Sequence, residues 1–117
     1  MSGSLTADNR PTYLYRIYDD EGALLYIGIA LNLNSRMNQH RKHWRNGEWY
    51  RTAGPIRVEL YEDRTSAALA EYRAINKEQP IHNVANEDQY KDITTPDPVP
   101  LRTEEHNAGR WRMSYGS

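Results

Sequence analysis

The sequence predicts a small α/β domain whose helices flank a three-stranded mixed or antiparallel sheet in the order β-β-α-β-α. Three observations lead there. Two β-rich stretches, Tyr13-Leu-Tyr-Arg-Ile-Tyr18 and Leu24-Leu-Tyr-Ile-Gly-Ile29, are separated by a turn-like Asp19-Asp-Glu-Gly22. A third stretch, Ile56-Arg-Val-Glu-Leu-Tyr61, alternates cleanly between apolar and polar residues. Between and after these lie two segments with helical spacing, the first closed by Asn46-Gly47 and the second by Pro80.

Residues 1–11 are polar, end at Pro11 and read as a loose N-terminus. The first strand sets Tyr13, Tyr15 and Ile17 on one face, and with the second strand it forms a hairpin in which Gly22 can take positive φ. Asn32 is a suitable N-cap for a helix reaching about Arg45, with Leu33, Met37 and Trp44 on its buried stripe. In the third strand Ile56, Val58 and Leu60 face the core. Thr65 or Ser66 caps a second helix that runs to about Glu78, with Ala68, Leu69, Tyr72 and Ile75 on its apolar side. Residues 81–91 close the domain, which spans 12–91. Residues 92–117, with Pro96, Pro98 and Pro100, read as an extended tail that Trp111 could dock.

The chain has 117 residues, enough for one domain with a real core. There is no Phe, so nine Tyr and three Trp supply the aromatic bulk, and amphipathic Tyr rings belong at the edge of a site. The lack of Cys excludes a disulfide scaffold and a thiolate metal site, and fits a cytoplasmic protein. No apolar run approaches the roughly 20 residues of a membrane span. Net charge is −1, which argues against a globally basic coat. The cations are clustered, however: Arg36, Arg41, Lys42, Arg45 and Arg51 face one anion, Glu48, between Asn34 and Arg51, with His40 and His43 beside them. Such a patch on a neutral body suits phosphate contact.

Three features could carry chemistry. Arg36, His40 and His43 share one helical face. Glu71 lies at the Ala68/Ile75 border of the second helix, where a carboxylate oxygen could ligate Mg²⁺. Tyr26-Ile27-Gly28 ends the second strand opposite Tyr15, and a glycine there permits close approach of another group. Singly, each has an ordinary explanation as a solvated face, a snorkelling carboxylate or a cross-strand pair.

Their joint spacing resembles the GIY-YIG nuclease family. Tyr13-Leu14-Tyr15 is a degraded first motif that keeps the final Tyr, and Tyr26-Ile27-Gly28 is an intact second motif, with ten residues between the two. Arg36 follows Tyr26 by ten positions, His40 comes one helical turn on, Glu71 lies in Ala-Leu-Ala-Glu-Tyr, and Pro80 and Asn83 match a closing Pro-x-x-Asn. The resemblance spans residues 13–83. It departs at Tyr13, where the motif has Gly, and at Ile29, where some members have Lys.

The resemblance implies a metal-dependent endonuclease that hydrolyses phosphodiester bonds in DNA, with one Mg²⁺ or Mn²⁺ on Glu71. Arg36 would clamp the scissile phosphate, Tyr15 or Tyr26 would deprotonate water, His40 would share that proton, and Asn83 would orient the ring cluster. Arg41, Lys42, His43, Arg45 and Arg51 would contact the backbone of duplex or structured DNA. No recognition domain is visible, so specificity would come from a partner protein, a homodimer, or the tail and loops. The alternative is a non-catalytic nucleic-acid-binding or regulatory protein on the same fold.

Overall fold

The computed structural model describes residues 10–43, 52–83 and 94–109. Its elements are β1 (Thr12–Asp19), β2 (Leu24–Ala30), α1 (Leu33–His43), β3 (Ala53–Tyr61), α2 (Arg64–Glu78) and β4 (Arg102–Asn107). The strands form one antiparallel sheet in the order β2-β1-β3-β4.

The α/β class and the β-β-α-β-α order are as expected, but the sheet has four strands, not three. The fourth comes from the stretch read as extended tail. Arg102–Asn107 pairs with β3 from Leu60 back to Pro55, and backbone bonds from Leu101 to Leu60 and from Ala108 to Gly54 extend the ladder at both ends. Trp111 lies outside the described residues.

The hairpin turn is built by Asp19. Its carboxylate accepts from the backbone N–H groups of Glu21 and Ala23, and Gly22 sits at φ 92°, where a side chain would be strained. Because β1 is central, its pleat feeds two cores. Tyr15 and Ile17 pack with Leu25, Ile56, Val58 and Met37 of α1, with Tyr13 against them. Leu14 points the other way and packs with Ile27, Ile29, Tyr61 and Ala67 and Ala74 of α2. On this second side Arg16 holds Glu59 of β3 at 3.1 Å and Glu78 of α2 at 2.9 Å, tying three elements together.

Each helix start is fixed by a side-chain cap. Asn32 Oδ1 accepts from Ser35 N–H at 2.9 Å, as expected. The second cap is Asp63, not Thr65 or Ser66: its Oδ1 accepts from Ser66 N–H at 2.7 Å, so the helix starts a turn-half earlier, at Arg64. Such a cap contributes about 1 kcal/mol. At the other end Gln79 adopts the left-handed conformation, donates to Ile75 O, and Pro80 prevents continuation. The chain then returns along the free edge of β2, with Ile81 and His82 N–H donating to Leu24 and Leu25 carbonyls. Among the described residues no helix is long and apolar enough to cross a membrane.

Candidate active site

The site lies where β1, β2 and α1 meet. Tyr15 pairs with Gly28 across the hairpin, and Tyr26 pairs with Ile17, so both tyrosines rise from the α1 side of the sheet. Helix α1 lies over them with Arg36 and His40 one turn apart. Tyr15 Oη is 2.8 Å from His40 Nε2. The three rings form a triangle, with centroids 6.1 Å apart for Tyr15–Tyr26, 5.7 Å for Tyr15–His40 and 5.0 Å for Tyr26–His40. The imidazole stands edge-on to both phenols.

Gly28 makes this packing possible. A Cβ there would stand 2.5 Å from Tyr15 Oη and 3.0 Å from Tyr26 Cε2. The group that approaches the glycine closely is therefore the Tyr15 ring itself. Ile29, at the position where some family members have Lys, is buried in the α2-side core, on the face away from the tyrosines.

The two phenols differ in environment. Tyr15 is fully buried, and burial pushes its pKa well above the ordinary phenol range. Tyr26 and Glu71 push the same way, while Arg36 pulls down by its charge and by hydrogen bonding. Tyr26 is half-buried; burial and Glu71 raise it, and Arg36 opposes them. Tyr26 is thus the phenol with access to solvent.

Glu71 joins the cluster from α2. It is half-buried, and desolvation raises its pKa, with Arg64 and then Arg36 pulling down. Arg64 was not anticipated, although it lies seven residues before Glu71 and so on the same helical face. Among the described residues no group of three or more His, Cys, Asp or Glu could hold a metal. A thiolate- or imidazole-rich site is thus not what this cluster offers. One carboxylate, accepting no hydrogen bond from a described residue, fits a hard, largely hydrated ion such as Mg²⁺.

Asn83 directs its hydrogen bonds to the strand and not to the rings. Its Oδ1 accepts from Ile27 N–H at 2.7 Å and its Nδ2 donates to Ile27 O at 3.0 Å. It closes the open edge of β2 at the residue between Tyr26 and Gly28, so it can orient the rings only through the strand.

The basic patch is only partly assembled as expected. Lys42 is exposed on α1, but Arg41 is buried at 8% exposure and donates to Asn38 Oδ1 at 3.0 Å. Its guanidinium is turned inward and is not offered to a phosphate. His43 ends α1, with no side-chain description; Arg45 and Arg51 lie outside the described residues.

An antiparallel α/β domain carrying two facing tyrosines, a histidine, an arginine and a lone carboxylate defines a compact polar site on a hairpin and two helices. The chain belongs to the GIY-YIG catalytic domain family, which matches residues 11–91. It is also similar to UvrABC system protein C of Legionella pneumophila, strains Lens and Paris, with 32% identity over 75 residues in each case. That match covers 61% of this chain and only 12% of either relative. No solved structure gives a significant match.

Proposed function

We propose that this protein is a cytoplasmic endonuclease of the GIY-YIG type that hydrolyses phosphodiester bonds in duplex or structured DNA with the aid of one Mg²⁺ or Mn²⁺ ion. The observation that supports this best is the Tyr15–His40 hydrogen bond of 2.8 Å inside a cluster that also holds Tyr26, Arg36 and Glu71. A purely structural cluster would not need a cation and a carboxylate beside two desolvated phenols.

Glu71 would hold the ion, which when bound supplies positive charge to the phosphate and to the leaving oxygen. Arg36 would clamp the phosphate; its planar fork can donate two parallel bonds while charge develops on the oxygens. Tyr26, the more accessible phenol, would face the attacking water. Its own pKa is raised, so it can take a proton only by passing its hydroxyl proton on. His40 is the imidazole beside it, and imidazole changes charge nearest neutral pH. Tyr15, buried and high in pKa, keeps its proton and accepts from His40 Nε2–H, which fixes the ring with Nδ1 as the nitrogen that would receive the proton. Asn83 holds the strand that carries Tyr26. Because the matched region is 12% of the Legionella proteins, which belong to a multi-component system by name, specificity from a partner protein or a homodimer is part of this reading.

The test is incubation with supercoiled plasmid in Mg²⁺ or Mn²⁺, resolving nicks from double-strand breaks. Cleavage should stop in excess chelator and in Glu71→Ala protein with unchanged circular dichroism. Full activity in either case overturns the one-metal reading. DNA binding without any cleavage favours a non-catalytic binding role.

A further inference from the structure

A second polar cavity lies on the same side of the sheet as the tyrosine cluster. It is about 290 Å³, lined by Tyr13, Asn34, Glu104 and His106, with Leu31, Asn32 and Leu33 completing the wall. Tyr13 is two residues from Tyr15 on the same face of β1, about 7 Å along the strand. Asn34 is two positions before Arg36 in α1. The cavity therefore adjoins the tyrosine cluster along β1.

Its polar wall is organised. Glu104 accepts from Arg102 Nε at 2.7 Å through one carboxylate oxygen and bonds His106 Nε2 at 2.9 Å through the other. Arg102 also donates to Tyr13 Oη at 3.3 Å, which links β4 to β1 across β3. These two partners pull the Glu104 carboxyl below its usual range, so it is a fixed anion. A carboxylate has about four lone-pair positions, so acceptor capacity remains after both bonds. An aromatic ring beside a fixed acceptor and an amide is the set that takes an unstacked nucleobase: the ring offers a stacking face, and the acceptor reads an exocyclic amine. The volume, near the lower end of the range for small-ligand sites, suits one base with its sugar. Tyr13 stands where the first motif has Gly, and β4 lies beyond the matched residues 11–91.

We propose that this cavity binds the base of a nucleotide flanking the scissile phosphate, turned out of the helix or already single-stranded, and that Glu104 selects adenine, cytosine or guanine over thymine through the exocyclic amine. The proposal rests on the endonuclease reading, but a free nucleotide shares the chemistry, so binding and cleavage are measured separately.

In the binding arm, dAMP, dCMP, dGMP and TMP are titrated while the Tyr13 and His106 NMR signals are followed. The three amine-bearing nucleotides should shift these signals, and TMP should bind roughly five- to a hundredfold more weakly. In the cleavage arm, mismatched and single-stranded oligonucleotides randomised around the cut are sequenced after digestion. Thymine should be depleted at one flanking position. Glu104→Gln should remove that depletion, and Glu105→Gln, on the opposite face of β4, should leave it. Mononucleotide binding with no flank preference, or equal binding of TMP, overturns the assignment. If the protein cuts nothing, the endonuclease reading fails and the binding arm alone decides whether the cavity recognises an amine-bearing base.

Discussion

The ring of Tyr15 lies across Gly28, its cross-strand partner, so closely that a single added methyl would meet the phenol oxygen at 2.5 Å. The glycine of the second motif is thereby explained by packing. It is the floor on which the first tyrosine rests, and it lets that tyrosine reach His40.

Gly28→Ala should therefore damage the site more than the fold. The methyl must displace Tyr15, which is fully buried, so overpacking should cost about 1–3 kcal/mol. The displacement should also break the 2.8 Å bond to His40. We expect a modest fall in Tm on thermal denaturation together with a loss of nuclease activity out of proportion to it. Wild-type activity in a folded Gly28→Ala protein would show that the Tyr15–His40 bond is dispensable.

Asn83→Ala removes both bonds to the Ile27 backbone at the edge of β2. Water can replace part of what is lost there, so a cost of about 1–3 kcal/mol is expected in denaturant unfolding. Amide exchange at Ile27 should accelerate, since its N–H loses its partner. If activity fell while exchange at Ile27 was unchanged, Asn83 would be acting on the substrate and not on the strand.

Much of this was legible in the sequence, for identifiable reasons. The strands through Tyr61 and both helices announce themselves by apolar period and by Gly or Pro at their ends, and the Tyr26, Arg36, His40 and Glu71 spacing survives because each sits at a fixed place on its element. Strand β4 was not legible. Arg102-Thr-Glu-Glu-His-Asn107 has no apolar alternation; it is held by backbone bonds to β3, and its side chains on the α1 side bond one another. Arg41 was misjudged by charge alone, although it follows Met37 by one turn and so falls on the buried stripe. Asp63 caps the helix because its carboxylate reaches the N–H three residues on, that of Ser66, which leaves Thr65 and Ser66 inside the first turn.

Glu71 is held in a place that costs its charged form stability. Its folded pKa is raised by burial, so the fold prefers the protonated acid. The contribution to stability is fully present below the unfolded carboxyl pKa and is lost as pH rises through the folded one. Glu71→Gln, neutral at every pH, should hence raise Tm relative to wild type at neutral pH, and the difference should vanish in acid. The same substitution should abolish cleavage. A lower Tm for Glu71→Gln at neutral pH would mean that Arg64 and Arg36 outweigh desolvation.

Arg36→Ala should lower turnover by roughly 10²–10³, the usual cost of removing one donor to a transition-state oxyanion. Arg36→Lys should recover little, because a point charge does not reproduce a planar fork. Arg36 also holds down the pKa of Tyr15, Tyr26 and Glu71. Residual activity of Arg36→Ala should therefore rise with pH across a more alkaline range than wild type. An unshifted pH profile would separate phosphate binding from any tuning of the phenols.

Binding to duplex DNA should be weak and salt-dependent, and the inward turn of Arg41 sets how strongly. The net charge of −1 leaves phosphate contact to the local cluster of Arg36, Arg41, Lys42, Arg45 and Arg51. Arg41 is buried and bonded to Asn38, so it neutralises no phosphate. Four cations remain, and counterion release at about 0.9 per phosphate gives a log–log salt slope of about −3.6. Titration at several salt concentrations should show Lys42→Ala lowering that slope by about one. Arg41→Ala should leave the slope alone and destabilise the protein, since it takes a buried side chain out of α1. If Arg41→Ala flattened the slope as much as Lys42→Ala did, Arg41 would swing outward on DNA, and the α1 surface that meets the backbone would include it.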